Sequence, residues 1–122
     1  GTGIAPFRAM LQAALNHDKY KNTQFHLIFG TRYETDILYK EDLEAFSKYP
    51  NFKLDIALSR HIGDGNYHKG YVHSIYLNHY NSEKTDALFM LCGWQEMVDE
   101  ATDILQNAML MEKTRIMVEL YG

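Results

Sequence analysis

The sequence predicts an α/β domain built on a doubly wound parallel sheet with helices on both faces. Three observations carry that prediction. Helical and strand periodicities alternate along the chain, the order that calls for parallel strands joined by crossover helices. One strand-length run, "ALFMLCG", is nearly all apolar, as a strand covered on both faces must be. And each unusual cluster of residues falls where a strand ends: Gly1 to Pro6, Gly30 to Asp36, Ser59 to Tyr71 and Cys92 to Met97. In an open parallel sheet those carboxyl ends line the ligand crevice.

The elements follow in order. Ile4, Phe7, Met10, Leu11, Ala14 and Leu15 recur at helical spacing, with Pro6 where a first-turn proline is tolerated. "QFHLIFG" reads as a short buried strand ending at Gly30. "YKEDLEAFSKY" reads as a charged helix with Leu43 and Phe46 inward. "FKLDIALS" alternates Phe52, Leu54, Ile56 and Leu58 as a strand does. "GYVHSIYLNHY" puts Val72, Ile75, Tyr76 and His79 on one helical stripe, and "ALFMLCG" forms the next strand. "QEMVDEATDILQNAML" sets Met97, Ala101, Ile104, Leu105 and Ala108 at helical spacing, and "TRIMVELYG" closes as a strand. Between the strand "FKLDIALS" and its helix lies "RHIGDGNYHKG", an irregular loop with three glycines.

At 122 residues the chain is one domain's worth. Its net charge of −4 argues against general nucleic-acid binding while leaving room for a local cationic pocket. No apolar run approaches the length of a membrane span, and the lone Cys92 suits a reducing cytosol, so the expected location is cytoplasmic. His61, His68, His73 and His79 lack the HxxxH or HExxH spacing of a zinc site and have no cysteine partners, so no metal is expected.

The clusters have chemistry to offer. A glycine turn at a helix N-terminus presents unpaired N–H groups and the positive end of the helix dipole, which suits a pyrophosphate. Gly1 and Gly3 allow its close approach and Thr2 adds a donor, although "GTGIAP" is not the usual GxGxxG. A 2′-phosphate carries nearly two negative charges and needs cations and hydroxyls together. Arg60, Lys69, Ser59 and Tyr71 supply these, or else Arg60 and Lys69 are simply solvated loop charges. Cys92 is either a buried structural thiol or, at its strand's carboxyl end, a neighbour of a cofactor's reacting ring, with Gly93 leaving the ligand room.

At these residues the chain resembles the NAD(P)-binding domain of the ferredoxin–NADP⁺ reductase family, which also supplies the nucleotide half of diflavin reductases. "GTGIAPFR" resembles the pyrophosphate loop and "FGTRYETDILYKEDL" the second strand and following helix. "ALSR…KGYV" is similar to the signature that holds the 2′-phosphate, "LCGWQEM" to the CG-x-x-x-M segment beside the nicotinamide, and "VELY" to the C-terminal strand. The resemblance implies a Rossmann-like fold, and an oxidoreductase in which hydride passes between nicotinamide C4 and flavin N5 and electrons then leave singly. It implies that Gly1, Thr2, Gly3, Pro6, Gly30, Arg32, Ser59, Arg60, Lys69, Tyr71, Gly93 and Met97 bind NADP(H), with NAD(H) as the alternative. Cys92, Glu119 and Tyr121 then border the hydride-transfer site. It also implies an FAD-binding domain of the same protein and a redox acceptor such as ferredoxin or flavodoxin.

Three departures shape the expectation. The family's flavin-binding barrel with its R-x-Y-S motif and the strand before the glycine turn are not in this sequence. Residues 1–122 therefore read as the NAD(P)-binding fragment of a two-domain flavin reductase, first strand missing, that does not bind FAD or oxidise NADPH by itself. His73 stands where NADP-specific members often carry Gln, and Gly122 follows the tyrosine on which plant-type members end. Two other readings stand beside this one: an NADH-using oxygenase-reductase relative, and a non-catalytic nucleotide-binding module.

Overall fold

The structure, a computed structural model, describes residues 4–60, 65, 67–80, 86–93 and 95–120, with Glu119 and Leu120 described by backbone alone. The chain forms two compact units, Gly1–Ile75 and Tyr76–Gly122.

In the first unit, α1 (Ile4–Leu15) precedes β1 (Phe25–Thr31), α2 (Lys40–Phe46), β2 (Phe52–Leu58) and β3 (His68–Lys69), after which α3 (Val72–His79) begins. The strands are parallel in the order β1-β2-β3. Helix α1 starts and ends where its apolar spacing predicts. Ile4, Leu11 and Leu15 join Leu27 and Phe29 of β1, Leu43 and Phe46 of α2 and Phe52 of β2 in one core. Met10, expected on the same stripe, is 41% exposed. Side chains alternate between the faces of a strand. Phe29 faces the core shared with α1 and α2, and Gly30 turns the other way, toward Val72 at the start of α3. Helices therefore lie on both faces of this sheet, as a doubly wound fold requires.

Helix α2 is shorter than "YKEDLEAFSKY". It begins after Tyr39, which is left-handed at φ 55°, and ends at Phe46, where the Ser47 hydroxyl turns back to the Leu43 carbonyl at 2.9 Å. Arg8 of α1 ties the two helices together, donating to Asp42 at 2.7 Å while its guanidinium lies 4.8 Å from the Tyr39 ring centre. The buried Asn51, just before β2, donates to the carbonyls of Tyr20 and Thr23 and fixes the turn leading into β1.

Two expectations for this unit change. The alternation predicted for "FKLDIALS" fails at its end, because Ala57 is as fully buried as Leu58 and the strand is covered on both faces there. The loop "RHIGDGNYHKG" contains β3, invisible to periodicity because two residues have no period.

In the second unit, β4 (Phe89–Gly93) pairs in parallel with β5 (Ile116–Leu120). Between them, α4 (Gln95–Asp103) passes directly into a π-helical turn over Ile104–Ala108. There the Met109 N–H reaches back five residues to the Ile104 carbonyl, and Leu110 follows in a left-handed conformation at φ 55°. The wide turn shifts the helical phase. Val98, Ala101 and Leu105 are buried, and beyond the turn Met109 and Met111 take the inward places. Ala108, expected inward, is exposed, and Met97 is half-buried. His79, expected on the apolar stripe of α3, is likewise exposed, and the burial falls on Ile75 and Tyr76. Leu88, at the start of the run taken to be wholly buried, is exposed too.

Candidate nucleotide site

The carboxyl edge of β1-β2-β3 gathers Arg32, Ser59, Arg60 and Lys69. Pairing between β1 and β2 continues past the strand ends: the Ser59 N–H donates to the Thr31 carbonyl at 3.0 Å, and the Arg60 N–H to the Arg32 carbonyl at 2.9 Å. Arg32 and Arg60 are thereby neighbours across the ladder. On the other side of β2, Lys69 pairs with Leu58, and the Gly70 N–H donates to the Leu58 carbonyl at 3.1 Å. Gly70 has φ 105° and open space around it, so backbone conformation is what demands glycine there. Three cations thus stand at the ends of three adjacent strands, all exposed, with half-buried Ser59 among them. Among the described residues Arg32, Arg60 and Lys69 form no ion pair, as is also true of Lys19, Lys21, Lys48, Lys113 and Arg115, so what sets the trio apart is its place at adjacent strand ends. Tyr71 is 72% exposed, its ring open to a ligand.

At Gly30 a Cβ would lie 2.7 Å from a methyl of Val72, so glycine there allows close helix–strand packing. Pro6 lies in the first turn of α1, a turn without acidic residues. Gly1, Thr2 and Gly3 lie outside the described residues, as does Tyr121.

In the second unit Cys92 is buried one residue before the end of β4, and its register partner on β5 is Glu119. Gly93 follows with φ 149°, a conformation L side chains rarely adopt, and a Cβ there would lie 2.6 Å from the Met97 methyl. The CG-x-x-x-M spacing has a local physical meaning. Four residues on, the first turn of α4 brings Met97 back over a glycine that has no side chain to meet it. Gly93→Ala should destabilise the protein by about 1–3 kcal/mol through backbone strain. Urea unfolding checks this, and adding Met97→Ala should recover only the small contact part, because the strain remains.

Sequence reasoning missed one cluster. Asp55 of β2, 13% exposed, accepts from the Nε2 of His26 on β1 at 2.6 Å and from the Nε2 of His68 on β3 at 2.8 Å. Lys53 stands 3.8 Å away. Burial pushes the Asp55 carboxyl up, but the hydrogen bonds from His68 and His26 and the positive charges around it hold it below its ordinary value. A carboxylate whose folded pKa is lowered contributes stability at neutral pH that is lost as pH falls through that folded value. Urea unfolding from about pH 6 down to about pH 3 should show a steep acid loss in the native protein and a flatter one in Asp55→Asn. The sequence signal was the pair Lys53 and Asp55 at alternate positions of "FKLDIAL", but His26 meets Asp55 across a diagonal that only the strand register reveals. Among the described residues no group of three His, Cys, Asp or Glu is placed to hold a metal ion.

Residues 1–103 match the family model described as an oxidoreductase NAD-binding domain. The chain belongs to that family. It is 38% identical over 104 residues to human NADH-cytochrome b5 reductase 1, covering 83% of this chain and 34% of that protein. It is 34% identical over 117 residues to the cyanelle ferredoxin–NADP reductase of Cyanophora paradoxa, covering 88% of this chain and 32% of the relative. The chain therefore spans about a third of the length of these relatives. The fold is that of the cytochrome b5 reductase domain of Ulva prolifera nitrate reductase, with a TM-score of 0.83 over 98% of this chain and 47% of that one at 23% identity. No helix among the described residues is long and apolar enough to cross a membrane.

Proposed function

We propose that this chain is the nucleotide-binding part of an NADP(H)-dependent flavin reductase, which presents nicotinamide to an FAD held by another domain of the same protein. The observation that carries the reading is the trio Arg32, Arg60 and Lys69, three cations without ion-pair partners among the described residues at the carboxyl edge of one sheet. Solvated surface charges have no reason to converge at adjacent strand ends, whereas a phosphate dianion gives them one. On this reading the two guanidiniums supply paired N–H donors, Lys69 a point charge, Ser59 a hydroxyl and Tyr71 a face for the adenine. Gly1, Thr2, Gly3 and Pro6 carry the pyrophosphate at the head of α1. Cys92, Gly93, Met97, Glu119 and Tyr121 flank the nicotinamide. The cofactor supplies the hydride chemistry; the protein binds it, orients it and excludes water. A ferredoxin- or flavodoxin-like protein accepts the electrons, in the cytoplasm.

A second reading, NADH as the donor, is favoured by the similarity to an NADH-cytochrome b5 reductase. Calorimetry on the intact protein separates the two. With NADP(H) as the cofactor, 2′-phospho-AMP should bind at least about tenfold more tightly than 5′-AMP, the equivalent of about 1.4 kcal/mol. Equal affinities would hand the site to NADH.

A further inference from the structure

Strand β3 is two residues long, too short to hold its place by ladder bonds alone. Side chains on either side of its start reinforce it: the Tyr67 hydroxyl donates to Glu34 at 3.0 Å, with Lys40 3.6 Å from the same carboxylate, and His68 reaches Asp55 at 2.8 Å. Asp55 is itself held from the far side by His26 at 2.6 Å. With Asp55 ionised, both its oxygens accept, so each imidazole Nε2 carries a hydrogen. The result is one continuous tie from β1 through β2 to β3.

We propose that His68, anchored through Asp55 to His26, is a positioning residue for the nucleotide: it holds β3 in register and so keeps Lys69 at the phosphate edge beside Ser59 and Arg60. The inference rests on the phosphate site proposed above. Alternation along β3 supplies the geometry. His68 lies opposite Ala57 and turns to the face that carries Asp55, which leaves the next residue, Lys69, turned to the other face. Lys69 has no ion pair of its own among the described residues, so its placement comes from its backbone, and His68 is the side chain next to it that anchors that backbone to the centre of the sheet. Asp55 sees His26, His68 and Lys53, which makes the anchor a charge-supported one. His68 is 45% exposed, which places its effect at the low end for a hydrogen bond to a charged group.

The test is calorimetry of 2′-phospho-AMP and 5′-AMP on the intact protein and on His68→Ala, His68→Gln and Arg60→Ala. His68→Ala should weaken 2′-phospho-AMP about five- to tenfold and 5′-AMP less than about twofold. His68→Gln, whose amide donates from a similar reach, should restore the affinity to within about twofold. Selective loss in Arg60→Ala with none in His68→Ala overturns the positioning role and leaves the phosphate site standing. No selective loss in either variant overturns both. Equal losses for the two probes, or a loss that Gln does not repair, also overturn the positioning role. Should His68→Ala fail to fold, His68→Leu, which keeps the bulk and lacks the donor, takes its place in the same comparison.

Discussion

Replacing Arg60 with alanine is expected to weaken 2′-phospho-AMP binding about ten- to hundredfold while leaving 5′-AMP nearly unchanged. A hydrogen bond to a charged group contributes roughly 1.5–3 kcal/mol, which converts to that range of affinity. Arg60 is exposed, and Arg32 and Lys69 remain at the same strand ends in the variant, so the loss belongs near tenfold. The backbone of Arg60 is independent of its side chain: its N–H is already committed to the Arg32 carbonyl, and alanine preserves that bond. The variant therefore reports on the guanidinium and not on the ladder. Calorimetry with the two nucleotides reads the difference directly. Equal losses would assign Arg60 to a phosphate common to both or to structure, and the NADP reading would lose its support.

Truncating Leu43 to alanine should cost about 2–5 kcal/mol of stability, the range for a buried leucine whose surroundings close only partly on the cavity. Leu43 is 1% exposed and shares its core with Ile4, Leu11 and Leu15 of α1, Leu27 and Phe29 of β1, and Phe46 and Phe52, whose rings meet edge to face at 5.9 Å. Residues from two helices and two strands surround it, so no single element moves in to fill the space. Met10→Ala is the matched control. It sits on a helical stripe that periodicity assigned equally to the core, and at 41% exposure it should change stability by no more than about 0.5 kcal/mol. Urea unfolding of the two variants, with unchanged slope, gives both numbers. A small effect at Leu43 would mean that α2 does not pack on the sheet as described.

Met10 and Leu43 also mark where sequence reading succeeds and where it stops. Helical spacing placed both on inward faces. The width of the face that a neighbouring element covers then decides how much each is buried, and that width is not written in one helix. The same limit explains α4. Its stripe was legible as far as Ala101 and Leu105, but the π-helical turn at Ile104–Ala108 changes the phase, and Met109 and Met111 replace Ala108 inside.

What the sequence by itself determined was the alternation of elements, hence the parallel sheet, and the placing of unusual residues at strand ends. Both depend only on local periodicity and on the rule that crossover connections return every parallel strand in the same direction. The placing of Ser59 and Arg60 was legible for the same reason, since they follow directly from the end of a strand. Register was not legible. Whether Arg32 stands beside Arg60, or His26 and His68 meet on Asp55, depends on how strands distant in sequence slide against one another, and one residue of slip sends every side chain to the opposite face. That choice is made by the packing of Leu27, Phe29 and Phe52 against α1 and α2, a collective property of the core, so the Asp55 tie and the convergence of the three cations exist only in the folded sheet.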